Sequence, residues 1–233
     1  MTIDQELYRT IAGRYKNPLN KIKSYSVQIG LDIYEDLTGG FDEILIISNA
    51  AINPKQLKEF EIGTKKITYS TSWDTNDKEF DFIFLDLSLN FSDNLPITLN
   101  HYERLLKPGG VFIANILGGK TLQELSSSMM ESDLRENRMV TRIFPKISPE
   151  GLLSISKQSS FKTPIVMSNE ATFVYNSVRE LIQSLREIGH VYPMVQADHP
   201  YTTKHYWEAV EDIYRRLYGL RASFEFITLF AVK

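Results

Sequence analysis

Apolar positions come in two kinds of block along this chain. Short continuous runs, each read as a strand, are separated by longer stretches with helical spacing. Asp4–Tyr15 and Ile22–Leu37 read as helices, the second with Ile22, Val27, Ile29, Leu31, Ile33 and Leu37 apolar. Thr38-Gly39-Gly40 ends it, with glycine available for a left-handed cap. Glu43–Ile47 reads as a buried strand, and Asn53-Pro54 as the start of a helix that ends near Gly63. Lys66–Ser70 is a short β-rich run, followed by the loop "TSWDTNDKEF". Phe82–Leu87, "FIFLDL", is apolar throughout, the pattern of a strand covered on both faces. Pro96–Leu106 reads as a helix stopped by Lys107-Pro108-Gly109-Gly110, a turn placed far from any site, and Val111–Leu117 as the next strand. Thr121–Glu136 is helical, opened by a T-L-Q-E capping box, and Pro149–Ser159 is a further helix. Ile165–Met167 and Thr172–Val174 are short strand candidates, Val178–Ile188 and Tyr206–Tyr218 amphipathic helices, and Phe224–Val232 a strong final strand.

Strands alternating with helices predict an α/β fold with a mainly parallel sheet. Such sheets bind ligands at the carboxyl ends of their strands. That singles out Ser48–Asn53, Asp86–Asn90 and Gly118–Thr121, which are expected side by side. Ser48-Asn49-Ala50-Ala51-Ile52-Asn53 contains no glycine, although a strand-to-helix turn that cradles a nucleotide or nucleoside needs close backbone approach. It is either a divergent binding loop or a plain connection capped by Asn53. Asp86 and Asn90 either bond a ligand or simply end the strand. Gly118, Gly119 and Thr121 either shape a substrate mouth or make a turn and a helix cap.

Composition narrows the classes. The chain has 233 residues, enough for one domain with insertions, and 42% apolar content supplies a core. A net charge of −3 gives no nucleic-acid or anionic-membrane footprint. No apolar run approaches the ~20 residues that span a bilayer, and the N-terminus lacks a signal core, so the expected compartment is the cytoplasm. The absence of cysteine excludes disulfides, thiolate catalysis and cysteine-based metal sites. His190, His199 and His205 gather late in the chain with Tyr192 and Asp198, but their spacing matches no helical ligand pair, and no metal site is expected. No repeat, phosphate-binding P-loop, Ser-His-Asp order or paired catalytic acids occur.

Phe80–Leu125 carries a more specific signal. It contains Phe80-Asp81, Leu87, Leu89 and Leu95-Pro96, then Leu106-Lys107-Pro108 and Gly110, then Gly118, Gly119, Thr121, Leu122, Glu124 and Leu125. At this spacing the chain resembles the class I S-adenosylmethionine-dependent methyltransferases. The resemblance is strongest to the branch that holds the malonyl-acyl-carrier-protein methyltransferases of biotin synthesis and an arginine hydroxylase that assembles respiratory complex I. It extends weakly from Phe41 to the C-terminus.

The resemblance implies a Rossmann-like fold with a helical cap. The whole of 1–233 then forms one domain: N-terminal helices over 1–40, a core over 41–117, cap insertions over 118–147 and 176–218, and a final strand over 219–233. It implies S-adenosylmethionine as cofactor, held by Ser48, Asn49, Ala50, Asp74, Asp86, Leu87 and Asn90. A substrate mouth would form from Tyr15, Gly118, Gly119 and Thr121, with Tyr8 and Arg14 beside Tyr15 folding over the pocket. The substrate would be protein-borne or carrier-linked, or the partner an assembling protein.

Several positions depart from the branch pattern. Ile47–Ile52 replaces D-x-G-C-G-x-G, and Asp74 stands beyond the ribose-binding acid's place. Trp73–Glu79 is too short for the helix and strand expected there, so the sheet should have fewer strands. Asp86, Phe91 and Ser126 replace an Asn, a Trp and an Arg. Two functions are compatible with this pattern: methyl transfer through a divergent loop, or a non-catalytic descendant that binds a partner. If the pocket between Ser48 and Asp86 is closed, the expected plugs are Ile52, Trp73 or Phe91.

Overall fold

A computed structural model describes residues 20–37, 40–48, 52–60, 66–70, 79–92, 94–137, 147–190 and 203–233. The described helices are α1 (Lys21–Asp36), α2 (Pro54–Phe60), α3 (Leu95–Arg104), α4 (Gln123–Arg135), α5 (Pro149–Ser156), α6 (Val178–Glu187) and α7 (Lys204–Tyr218). The strands are β1 (Glu43–Ser48), β2 (Lys66–Ser70), β3 (Phe80–Asp86), β4 (Leu106–Leu117), β5 (Lys162–Val174) and β6 (Arg221–Val232). They form one six-stranded sheet in the order β2-β1-β3-β4-β6-β5. β2, β1, β3 and β4 run parallel, and β6 alone is reversed, pairing antiparallel with β4 on one side and with β5 on the other. The α/β architecture and the mainly parallel sheet of the described residues agree with the sequence reading.

Each central strand is buried on both faces, as its unbroken apolar run requires. On one face Val27 and Leu31 of α1, with Ile52 and Phe60, cover Ile44, Ile46, Phe82, Phe84 and Ile113. On the other, Leu99 and Tyr102 of α3 and Leu152 of α5 cover Leu45, Ile83, Leu85, Phe112 and Leu229. A third core lies where α4, α6 and α7 pack with the first half of β6, joining Leu125, Leu181, Tyr206, Tyr214 and Phe224.

Local expectations change in three places. The two short strand candidates are one 13-residue strand, β5. Its polar middle, Ser168-Asn169-Glu170, is exposed, so hydrogen bonding to β6 rather than burial holds it in the sheet. Lys107–Gly110 is absorbed into β4 through a register shift against Phe80/Phe82, while Lys107 pairs with Asp81 at 2.9 Å. The capping box does not form. α4 starts at Gln123 behind Leu122 at φ 61°, with no side-chain cap, and Thr121 bonds Glu225 of β6 instead. Residue spacing cannot announce a partner 104 positions away.

α1 approaches the sheet closely because Gly30 has no side chain. A Cβ there would stand 2.6 Å from the Phe84 ring. Gly30→Ala should therefore cost about 1–3 kcal/mol by overpacking, despite alanine's better helix propensity. Urea unfolding checks this; a neutral or stabilising outcome would mean that α1 does not seat on Phe84.

Candidate functional site

From β1 the chain runs outward to β2, then returns to the other side of β1 for β3. The crevice at the carboxyl ends of β1 and β3 is thus the topological switch point, the usual ligand position in an open α/β sheet. The last rung of the sheet there is polar: Ser48 pairs with Asp86, Asp86 with Asn115, and Asn115 with Thr228. All four residues are buried.

α1 supplies the other half of the site. Its N-cap Asn20 accepts hydrogen bonds from the Ile22 and Lys23 amides, while its side-chain amide donates to the Ser184 carbonyl of α6 at 2.8 Å. This fixes the first turn of α1 over the strand ends. From that turn the Lys23 side chain enters the crevice, hydrogen-bonds Ser48 Oγ, and stands 3.2 Å from Asp86 Oδ2. Ser26 donates to Asp86 Oδ1 at 2.7 Å, and Ser48 donates to Asp86 Oδ2 at 2.8 Å. Asn115 donates to the Ser26 carbonyl at 2.6 Å, and Thr228 donates to Asn115 Oδ1 at 2.7 Å.

Lys23 and Asp86 side chains are only 3% and 1% exposed, so this is a fully buried ion pair. Burial pulls the Lys23 ammonium below the ordinary lysine value, and the charge and hydrogen bond of Asp86 oppose that shift. Lys23 also stands in the first turn of α1, where the helix dipole disfavours a cation. Asp86 is what holds the charge there. On β2, Tyr69 hydrogen-bonds Ser48; burial first and the Asp86 charge second push its phenol up to about 12.

The sequence-predicted site residues fall into three groups. Ser48 and Asp86 come together, bridged by Lys23. Leu87 turns at φ 55°, gives its amide to the Asn115 carbonyl and buries its side chain in the helical core. Asn90 makes two hydrogen bonds to the Leu117 backbone, at 3.0 and 3.1 Å, and so ties the β3 exit to β4. Gly118 lies at the next strand end, where a Cβ would run into the Glu225 carboxylate, whereas Gly119 has room, its nearest neighbour being 4.0 Å away. Thr121 is committed to Glu225. Tyr8, Arg14, Tyr15, Asn49, Ala50, Trp73 and Asp74 lie outside the described residues, as do Tyr192, Asp198 and His199.

Of the expected plugs, Ile52 is packed in the core beneath α1 and α2, and the group that bridges Ser48 and Asp86 is Lys23. Sequence reading missed Lys23, Ser26, Asn115, Thr228 and Glu225. A signal for three of them was present: Asn115 interrupts the apolar run of β4, and Glu225 and Thr228 that of β6, and polar residues in such buried runs need partners. Among the described residues no cluster of His, Cys, Asp or Glu is arranged to hold a metal.

The described residues do not fit S-adenosylmethionine in this arrangement. Ser48, Asp86, Asn90 and Thr121 spend their polar groups inside the protein. Among the described residues at this end of β3, Ser88 has a buried hydroxyl lacking a hydrogen-bond partner. The cofactor's sulfonium and amino-acid end would have to enter a crevice whose buried polar groups are already paired with Lys23.

Two outcomes test this description. Lys23→Met leaves Asp86 buried without its counter-charge and should cost about 3–5 kcal/mol of unfolding free energy, with Asp86→Asn added to it recovering a large part. A loss under about 1 kcal/mol would mean the pair is not desolvated. Tyr69 has a folded pKa above its unfolded value, so its contribution is complete below about pH 10 and is lost as pH rises towards 12. Ultraviolet titration of tyrosine should lose one late-ionising group in Tyr69→Phe.

Comparison with known proteins agrees with the geometry. Residues 47–114 match the model of a methyltransferase domain. The chain is 30% identical over 144 residues to the mitochondrial arginine-hydroxylase NDUFAF5 of Dictyostelium discoideum, covering 61% of this chain and 33% of that one. It is 29% identical over 113 residues to malonyl-[acyl-carrier protein] O-methyltransferase 1 of Coxiella burnetii, covering 48% and 38%. The matched parts thus span well under half the length of these relatives. A solved methyltransferase candidate from Bacillus halodurans C-125 superposes with a TM-score of 0.54 at 12% identity, over 88% of this chain and 97% of that one, which establishes the shared fold. No helix among the described residues is long and apolar enough to cross a membrane. Over residues 47–114 the chain is thus similar to methyltransferase domains, and it shares its fold with a solved methyltransferase candidate.

Proposed function

We propose that this methyltransferase-like protein works by binding rather than by methyl transfer. It keeps the fold and the helical layer of α4, α6 and α7, and takes a protein partner in the cytoplasm. The observation that carries this reading is the Lys23 ammonium, buried between Ser48 and Asp86 where the family fold receives its cofactor. The family's chemistry needs little beyond alignment of a nucleophile with the methyl donor, so closing the donor site removes it. A protein partner is favoured because one set of relatives is named for an acyl-carrier protein and the other for arginine, an amino acid that proteins carry.

A second reading rests on the family match over 47–114. In it the crevice opens when Lys23 leaves Asp86, and S-adenosylmethionine then serves methyl transfer to a protein-borne or carrier-linked substrate.

Calorimetry separates the two. The binding reading expects no heat and no thermal shift with millimolar S-adenosylmethionine or S-adenosylhomocysteine, and recovery of a stable protein partner from native extracts. Saturable micromolar cofactor binding by the unmodified chain would sink it and establish the second reading.

A further inference from the structure

Ser26, Ser48 and Asp86 make a small, buried, anionic slot with a defined shape. Both carboxylate oxygens of Asp86 accept hydrogen bonds, Oδ1 from Ser26 and Oδ2 from Ser48. That leaves the second oxygen and the Ser48 hydroxyl to meet one cation. Ser26 is itself held by the Asn115 amide, which Thr228 holds in turn. The acceptors are therefore fixed by the sheet and by α1. An organic cation can hydrogen-bond both a carboxylate oxygen and a hydroxyl oxygen only if it carries N–H donors. A primary ammonium has them, and a sulfonium or a quaternary ammonium has none.

We propose that Ser26, Ser48 and Asp86 form a primary-ammonium binding site at the β1–β3 switch point, and that Lys23 is its resident ligand. The chain fills the site with its own side chain at an effective concentration no free metabolite reaches. The site selects by chemical class. It takes a primary ammonium on a short unbranched alkyl stem, because that is the shape of the buried Lys23 stem it replaces. The inference rests on the closed-crevice reading but makes no use of a partner.

Lys23→Ala removes the atoms that n-propylammonium carries, so that ion is the probe. n-Propylammonium chloride should raise the thermal midpoint of Lys23→Ala by about 5–10 °C at hundredfold excess over its dissociation constant. Tetramethylammonium chloride and sodium chloride at equal ionic strength should not. The wild type, whose slot is filled, should show no shift with n-propylammonium, and Lys23→Ala combined with Asp86→Asn should lose the response. Equal response in wild type and Lys23→Ala, or equal response to tetramethylammonium, would overturn the proposal. If Lys23→Ala does not fold alone, its refolding yield with n-propylammonium against sodium chloride gives the same decision.

A measurement on the wild-type fold needs no destabilised lysine variant. Reductive methylation followed by peptide mass spectrometry should leave Lys23 unmodified while exposed lysines such as Lys204 react. Asp86→Asn should make Lys23 reactive. Modification of Lys23 in wild type at the rate of Lys204 would overturn the assignment. Failure of the ammonium response with no cofactor binding in wild type would sink this inference alone. Cofactor binding by wild type, together with an ammonium response confined to Lys23→Ala, would sink the binding reading alone.

Discussion

The buried pair of Lys23 and Asp86 is the interaction on which the rest of this structure depends. Two charges removed from water cost several kcal/mol each, and the cost is offset only where the geometry is good and the remaining lone pairs are satisfied. Here they are satisfied by residues from α1, β1, β3 and, through Asn115 and Thr228, β4 and β6. One polar cluster therefore joins four adjacent strands to the helix that crosses them. A cluster of this kind adds little to net stability and much to specificity, because any other seating of α1 leaves a charge buried alone.

The seating of α1 has two further determinants. Asn20 caps the helix and ties its start to Ser184 of α6. Gly30 lets the helix rest against Phe84, one step down β3 from Asp86. Cap, ion pair and close contact fall on one line along the helix, so the same residues that orient it carry Lys23 into the crevice. The functional consequence follows from position. A lysine at the first turn of this helix closes the point where an open α/β sheet receives ligands.

The family frame and the state of its site thus separate. The chain shares its fold with a solved methyltransferase candidate, and its residues 47–114 match a methyltransferase domain. The switch-point residues have been turned inward: Asp86 to Lys23, Asn90 to the Leu117 backbone, Thr121 to Glu225. Each of these side chains keeps its place at a strand end, where a ligand would need it, and each is satisfied by the protein itself. A fold carries function only through its site.

Much of the fold was legible in the residues. The apolar runs of β1, β3, β4 and β6, the Asn53-Pro54 helix start and the short segment after β2 follow from burial, capping and length, all of which act locally. The turns at Ser48, Asp86 and Gly118 could be placed at one end of the sheet because strand direction is set by the βαβ order. Other features had no local signal. β5 is continuous because β6 pairs with it, Thr121 bonds Glu225 instead of capping α4, and Asn90 braces Leu117. Asn115 and Thr228 announced a buried polar contact without naming the partner. Nothing in the residues around Lys23 sets it apart from the other lysines of the chain. Its role depends on where the first turn of α1 comes to rest against Asp86, sixty-three positions later in the sequence. Sequence by itself determined which segments are strands and helices and which strand ends could bind. Only the tertiary structure decided which charge fills the crevice, because that is set by the packing of elements distant in the chain.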